Sequence, residues 1–439
     1  MSGLTFKRGI HPPHAKFYSE QKAIEKLMPK GDLVFPMVQH IGAPCKPLVK
    51  KSDRVLVGQK IGEASGFVSS PIYSSVSGTV KAVSEILHPN GSKVQAVIIE
   101  NDGEYTEIET MGQTKPLDQM TDDEIRELIK EGGVVGLGGA GFPTFIKLSP
   151  PPDKKIDHIL VNGAECEPYL TSDHRIMLEE TENVVSGLKV ILRLFPDAKG
   201  VIGIEENKPD AIKKMQDAVK GEDRIQVAVL QVKYPQGAEK QLIYSITQRE
   251  VPSGGLPADA GCIVQNIDTV VAIHKAVVEG RPLMRRIVTV TGGAVKNPCN
   301  FEVKIGTSYR EVVEAAGGFI EEPVKIISGG PMMGIALFSL DVPIIKTSSS
   351  ILCLSKAEAD ERKESSCIRC GKCATACPMN LLPMELDKYS RYNAQEAFLH
   401  YKGMECIECG SCSFVCPAKR HLVQSIRTTK RTILANRKK

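Results

Sequence analysis

One pattern of twelve residues occurs twice near the end of this chain, and it limits what the chain can fold into more than any other feature. CIRCGKCATACP at 367–378 and CIECGSCSFVCP at 406–417 both read C-x2-C-x2-C-x3-C-P and together hold eight of the 13 cysteines. Three thiolates spaced by two residues can wrap one face of a cubane. The fourth, three residues on and followed by Pro, turns away and ligates the other cluster. The spacing therefore assigns Cys367, Cys370, Cys373 and Cys416 to one 4Fe–4S cluster, and Cys406, Cys409, Cys412 and Cys377 to a second. Zinc sites also use C-x2-C pairs, but need four ligands per ion and rarely a third Cys at the same spacing followed by C-P. Disulfide frameworks belong to short secreted chains. This one has 439 residues, and its opening MSGLTFKRGIHPPH lacks the apolar core of a signal peptide. Reduced thiols and clusters lead to the expectation of a cytoplasmic protein.

That length is enough for about three or four domains. A formal charge of +4 is too small to argue for nucleic acid, so none is expected as a partner. The positive charge is concentrated after Pro417, where AKRHLVQSIRTTKRTILANRKK carries no acid. This reads either as a solvated basic helix or as a dock for an acidic protein or lipid surface. No apolar run approaches the roughly 18–20 residues that span a bilayer, so membrane contact is expected through partners.

Residues 1–30 read as an extended lead-in followed by a short helix, with no defined chemistry in HPPH or in the tract from Lys22 to Lys30. From 31 to 110 the chain reads as all-β, short runs such as GTVKAV and VQAVIIE being split by Gly, Pro, Asn and Ser. GFVSSPIYSSVSGTVKAV resembles the hammerhead of lipoyl and biotinyl carriers. Where those carriers hold a lysine at a hairpin tip, this chain has GEASGFV, with Gly66 and Phe67, so a modified carrier is not expected.

At Thr121 a helix begins with a T-x-x-E capping box and ends in Gly, delivering the chain to GLGGAGFPT at 136–144. Glycines this dense let backbone N–H groups converge on a phosphate, or let the loop slide beneath a flat ring. The Rossmann fingerprint does not fit in register. A hydrophobic strand then ends at Asn162, with Glu165 and Glu167 on the loop beyond it. Residues 181–232 alternate helix and strand, an α/β pattern with a largely parallel sheet. Tyr234, Gly237 and Glu239 follow at a strand-to-helix junction, where α/β folds bind ligands. Asn266, Asp268 and Thr269 enter a later helix.

These four segments, in this order, resemble the FMN- and NADH-binding flavin subunit of respiratory complex I and related hydrogenases. The resemblance puts Gly136, Gly138, Gly139 and Lys147 on the FMN phosphate and ribityl side. It gives Asn162, Glu165, Tyr234, Gly237, Asn266 and Thr269 to the rest of the flavin pocket. Phe142, Glu167 and Glu239 would face the nicotinamide nucleotide, with Glu167 and Glu239 as the catalytic candidates. The family's aspartate between Asn and the first Glu is Ala164 here, its paired acids after Y-x-x-G are Ala238-Glu239, and the second stacking aromatic that the family has shortly after the lysine is replaced near Ser149 and Pro150. Residues 284–350 resemble the small β-grasp (SLBB-like) module that follows this flavin domain, and KAEADERKESS reads as a linker to the cluster domain.

Along essentially the full chain the order resembles the C-subunit family of Rnf ion-translocating electron-transport complexes. The expected fold class is multidomain α/β and α+β. It comprises the lead-in (1–30), a barrel-sandwich hybrid (31–110), an FMN/NAD(H)-binding domain (118–283), the β-grasp module (284–350), a helical two-cluster ferredoxin-like domain (357–425) and a basic tail (426–439). The resemblance implies electron exchange between NAD(H) and ferredoxin on the cytoplasmic face of a membrane, coupled to Na+ or H+ movement, with integral membrane and ferredoxin-type subunits as partners. A non-catalytic electron wire and a soluble flavin iron–sulfur enzyme are the rival readings. Cys45, Cys166, Cys262, Cys299 and Cys353 are too scattered for another cluster and are expected as buried structural thiols, with Cys166 close to the flavin.

Overall fold

The computed structural model describes residues 3–360 and 362–436, so the last three residues of the expected basic tail lie outside them. The flavin-type domain is built on four parallel strands in the order Ile225–Leu230, Lys199–Glu205, His158–Gly163 and Cys262–Asn266. These strands are apolar on both faces because both faces are covered. Ile159, Val161, Ile202 and Ile263 point into the core with Val184, Leu188 and Val270 of the helices Thr181–Leu194 and Ile267–Val277. Their alternates Leu160, Val201 and Val264 meet Leu242 and Ile243 of Glu239–Thr247 on the other side. Successive strand side chains point to opposite faces, which produces this division. The register sets Asn162 beside Asn266 at the carboxyl edge. The helix Asp122–Glu131 starts on the reciprocal Thr121–Glu124 capping box and buries Ile125 and Ile129.

The N-terminal β domain consists of two small antiparallel sheets. One orders Leu33–Pro36, Lys93–Asn101, Gly78–Leu87 and Arg54–Val55; the other orders Lys46–Pro47, Lys60–Glu63 and Ile72–Tyr73. The lead-in differs from its expected form. Instead of a helix in the tract from Lys22 to Lys30, Ile24–Leu27 is a strand lying parallel to Cys299–Lys304. The open edge of the six-stranded β-grasp sheet supplies this tract with hydrogen-bond partners, and tertiary pairing overrides local preference. The same sheet takes in Ser350–Leu354, which runs past residue 350, and packs under the helix Tyr309–Ala315.

In the cluster domain the basic sequence after Pro417 becomes the helix Leu422–Asn436, which crosses residue 425 without a break. Leu422, Ile426, Thr429 and Ile433 recur at helical spacing and are buried. Arg427 and Lys430 pair with Glu408 at 2.7 and 2.9 Å. Part of the basic stretch is thus a core element of the domain rather than a free tail. Among the described residues no helix is long and apolar enough to cross a membrane.

An ion triad ties the flavin domain to the β-grasp module. Asp268 meets Arg285 at 2.9 Å and Arg286 at 2.5 Å; Asp268 and Arg286 are buried and Arg285 is half-buried. Removing one partner of such a group leaves uncompensated charge behind. Asp268→Ala is therefore expected to cost about 3–5 kcal/mol and to lower the thermal midpoint seen by calorimetry, while Val278→Ala on the exposed end of the same helix leaves it nearly unchanged.

Candidate functional site

The glycine loop is held open by its surroundings. Gly136 N–H donates to the Phe142 carbonyl at 2.9 Å, and Leu137 N–H donates to the Thr269 hydroxyl at 2.9 Å. Between these anchors residues 138–140 stand exposed, with nothing within 4 Å of a Cβ placed on Gly139. A Cβ on Gly138 would sit 2.8 Å from the Asn266 side chain. Asn266 in turn caps the helix Ile267–Val277 through Asp268 N–H and donates to Asp173 at 2.8 Å. From the neighbouring strand end, the Asn162 amide donates to the Gly237 carbonyl at 2.8 Å, and Gly237 N–H reaches the Cys166 sulfur at 3.3 Å. Lys147 donates to Glu239 at 2.8 Å and to the Val264 carbonyl at 3.2 Å.

The acidic loop is strained and buried. Glu165 has φ 47° and Tyr169 φ 70°, left-handed values that non-glycine residues adopt at a cost. Glu165 accepts from Asp173 N–H at 2.7 Å, while its second carboxylate oxygen has no hydrogen-bond partner among the described residues. Glu167 takes Met332 N–H at 3.1 Å, Met333 N–H at 2.9 Å and the Tyr234 hydroxyl at 3.4 Å. Burial pushes the Glu167 carboxyl up to about 7 against the pull of those two backbone donors. Asp173 is pushed up to about 8 by burial first, then by Glu165 and Asp268. Burial raises the Cys166 thiol as well, with Glu205 adding to it.

Sequence reasoning missed the cations beneath this loop. Lys16, from the lead-in, is 5% exposed and donates to the carbonyls of Glu167 at 3.1 Å and Leu170 at 2.5 Å, with Glu165 at 3.6 Å. Lys208 donates to the Ala164 carbonyl at 2.7 Å and faces Glu205 at 3.6 Å. Burial and the nearby Lys16 hold the Lys208 ammonium below its ordinary value. No motif flags either lysine, since their partners lie far along the chain.

The eight thiols gather as two sets. Cys367, Cys370, Cys373 and Cys416 line one cavity. Cys377, Cys406, Cys409 and Cys412 line another. Each set takes three cysteines from one motif and the last from the other. Among the described residues no three ligating side chains converge on a single ion, and a cubane, whose iron atoms are spread over a body of several ångströms, does not ask them to. The donor chemistry and the gathering of four thiols around each cavity fit 4Fe–4S clusters.

The second set abuts the flavin-type domain. The Tyr234 hydroxyl donates to the Cys409 carbonyl at 2.7 Å, and Tyr234, Cys409, Ile10 and Ala376 share one small core. Lys240 with Glu405 at 3.4 Å and Arg8 with the Ala374 carbonyl at 2.8 Å brace the same contact. Cys367 and Cys370 are exposed on the far motif, beside Ile368. Of the other cysteines, Cys45, Cys262, Cys299 and Cys353 are buried and Cys166 is half-buried. The start of the expected linker is anchored: Glu358 accepts from Gly293 N–H at 2.7 Å and from the hydroxyls of Tyr18 and Tyr169 at 2.9 and 3.1 Å.

Comparison with known proteins follows the same segmentation. Family models match as the RnfC barrel sandwich hybrid domain over residues 4–104 and the Nuo51 FMN-binding domain over 129–275. An SLBB domain matches 287–336 and a 4Fe-4S dicluster domain 366–419. The C subunit of the Na(+)-translocating ferredoxin:NAD(+) oxidoreductase complex of Acetobacterium woodii is 49% identical over 435 residues, covering 99% of this chain and 98% of that protein. Its counterpart in the proton-translocating complex of Clostridium ljungdahlii is 51% identical over 428 residues, covering 97% and 93%. The C subunit of the ion-translocating oxidoreductase complex of Pseudomonas aeruginosa is 40% identical over 445 residues, covering 100% of this chain and 57% of that protein.

The crossed thiol sets can be separated by substitution. Cys416→Ala, although it lies in the second motif, is expected to lose the same electron paramagnetic resonance signal as Cys370→Ala, each variant keeping about half of the iron; loss of different signals would break the pairing. Asp173 binds its proton more tightly in the folded than in the unfolded chain. Its contribution to stability is therefore full below about pH 4 and is lost as pH rises through about 8. In a pH series of thermal midpoints, Asp173→Asn should flatten the decline across that window.

Proposed function

The chain belongs to the RnfC family, the C subunits of ion-translocating ferredoxin:NAD(+) oxidoreductase complexes, and from that premise we propose that it exchanges hydride with NAD(H) and passes single electrons between that site and partner subunits. FMN, when bound, supplies the conversion between a two-electron hydride and the one-electron steps of iron–sulfur clusters. The rest of the task falls to the protein. The exposed backbone of residues 138–140 and the unoccupied Cβ space of Gly139 suit a phosphate or a flat ring. The Glu165 oxygen that makes no hydrogen bond among the described residues, 3.6 Å from the Lys16 ammonium, is an acceptor for a ribityl hydroxyl. Lys147 and Glu239, bonded to each other, offer the cradle one cation and one anion. Tyr234 touches the second set of thiols through Cys409 and reaches Glu167 of the acidic loop.

The observation that carries the reading is the Tyr234–Cys409 hydrogen bond, which seats one set of cluster ligands directly against the flavin-type site. Tunnelling falls steeply with distance, so the order flavin, then the Cys377/Cys406/Cys409/Cys412 set, then the Cys367/Cys370/Cys373/Cys416 set follows from adjacency. The exposed Cys367 and Cys370 make the last set the one that exchanges electrons with ferredoxin-type and integral membrane subunits. The protein would work at the cytoplasmic face, held to the membrane by those partners, and the Na+ or H+ path would lie in them, since no described helix can span a bilayer.

An anaerobic NADH titration of the purified protein, loaded with FMN and both clusters, tests this. The flavin band is expected to bleach first and the cluster bands to follow. Bound FMN that NADH leaves oxidised, while dithionite reduces everything, would instead make the chain an electron wire.

A further inference from the structure

The hairpin tip that carries the modified lysine in hammerhead carriers has a different residue and a different neighbour here. GEASGFV places Phe67 at this tip, 77% exposed. The tip is braced. Ala43 N–H donates to the Val68 carbonyl at 2.9 Å, and Gly42 passes so close to that oxygen that any Cβ would collide with it. Residues 40–43 in turn rest on the glycine loop. Ile41 N–H reaches the Gly141 carbonyl at 3.4 Å, and a Cβ on Gly141 would lie 3.1 Å from the His40 Cα. The His40 ring is fixed by Ser70 N–H at 3.1 Å. Phe67 consequently stands edge-to-face against Phe145, ring centres 6.2 Å apart at 80°. Phe145 sits on Thr144–Lys147, the short helix that continues the glycine loop and also carries Lys147.

A single exposed phenylalanine is ordinary on a protein surface. This one stands on a tip linked through residues 40–43 to the glycine loop, and a second aromatic ring, from the helix that continues that loop, lies edge-to-face against it. The geometry points to Phe67, backed by Phe145, as a stacking surface for the adenine ring of NAD(H). The inference rests on the reading of the cradle as the site of hydride exchange. For that exchange the nicotinamide must lie against the flavin, so the base at the other end of the dinucleotide is the ring that reaches the rim. Aromatic faces bind bases by stacking and require no hydrogen-bond code. The N-terminal domain thus contributes to the nucleotide site with an aromatic ring at the place where its carrier relatives use a covalent lysine.

The test uses the full chain with FMN and both clusters in place. Phe67→Ala is expected to weaken binding of ADP-ribose, measured by calorimetry, about tenfold, and to raise the NADH concentration for half-bleaching of the flavin in step. Reduced nicotinamide mononucleotide, which lacks the adenosine half, should bleach wild type and variant alike, and Phe67→Trp should retain ADP-ribose. FMN content and cluster spectra are expected at wild-type levels, because Phe67 is exposed. Unchanged ADP-ribose affinity in Phe67→Ala, with wild type binding it, overturns the stacking role alone. Equal weakening of the mononucleotide overturns it too, since the loss would then lie in the shape of the cradle. A wild-type protein that takes up neither NADH nor ADP-ribose overturns the nucleotide site itself, and the role of Phe67 with it.

Discussion

Two arginines and one aspartate, largely withdrawn from water, hold the arrangement of this molecule. Asp268 lies in the first turn of Ile267–Val277, where the helix dipole favours an acid. The guanidinium of Arg286 reaches beyond it to the Leu137 carbonyl at 3.1 Å and the Ser348 carbonyl at 2.7 Å. One side chain therefore fixes the glycine loop, the helix that follows the last parallel strand, and the β-grasp module against each other. Ion groups of this kind contribute little net stability, because desolvation offsets their attraction. Their value here is geometric: Arg285 reaches Glu180 at 2.8 Å as well as Asp268, and Arg286 reaches two carbonyls as well as Asp268, so the charges specify one mutual placement of these segments. The glycine loop can stay open, without side chains to fill it, because its two ends are held from outside.

The lead-in has a second organising role. Leu4 bridges to Leu230 and Ile10 to Tyr234, Lys16 plugs the carbonyls of the acidic loop, and Ile24–Leu27 closes the β-grasp sheet. A stretch without chemistry of its own thus fixes the positions of residues that have it. The cluster domain is positioned in the same manner: Arg8 from the lead-in and Glu405 with Lys240 bracket the contact at Tyr234. Met332 and Met333 of the β-grasp module complete the circle through Glu167, and a Cβ on Gly330 would collide with that carboxylate.

Much of this is legible in the sequence because its signals are local. The thiol spacing gives ligation, since three cysteines two residues apart face one way whatever surrounds them, and the cysteine before Pro turns aside. The Thr121–Glu124 capping box and the alternation of helix and strand from 181 to 232 are likewise settled over a few residues. The glycine loop can be recognised as a backbone surface for the same reason. Lys16 and Phe67 cannot be assigned from the sequence, since nothing near them in the chain indicates that their neighbours will be the loop after Asn162 and the helix at Phe145. Ile24–Leu27 and the buried stripe of Leu422–Asn436 escape sequence reasoning for a related reason: local composition describes a charged segment, and only an available sheet edge or core makes it a strand or a packing helix.

The cofactor chemistry, the order of the domains and the grouping of the thiols could be read before any fold was known, because each rests on short motifs whose residues lie within one or two turns of each other and on the order in which those motifs follow. Tertiary structure alone decided which thiol set lies against the flavin-type site, which set faces outward, and which distant side chains close the cradle. The physical reason is the cost of burying polar groups without partners. Lys16, Arg286 and Tyr234 each had to find carbonyls or carboxylates, and for each of them one such partner, at Glu167, Leu137 and Cys409 respectively, comes from a segment more than a hundred residues away in the chain.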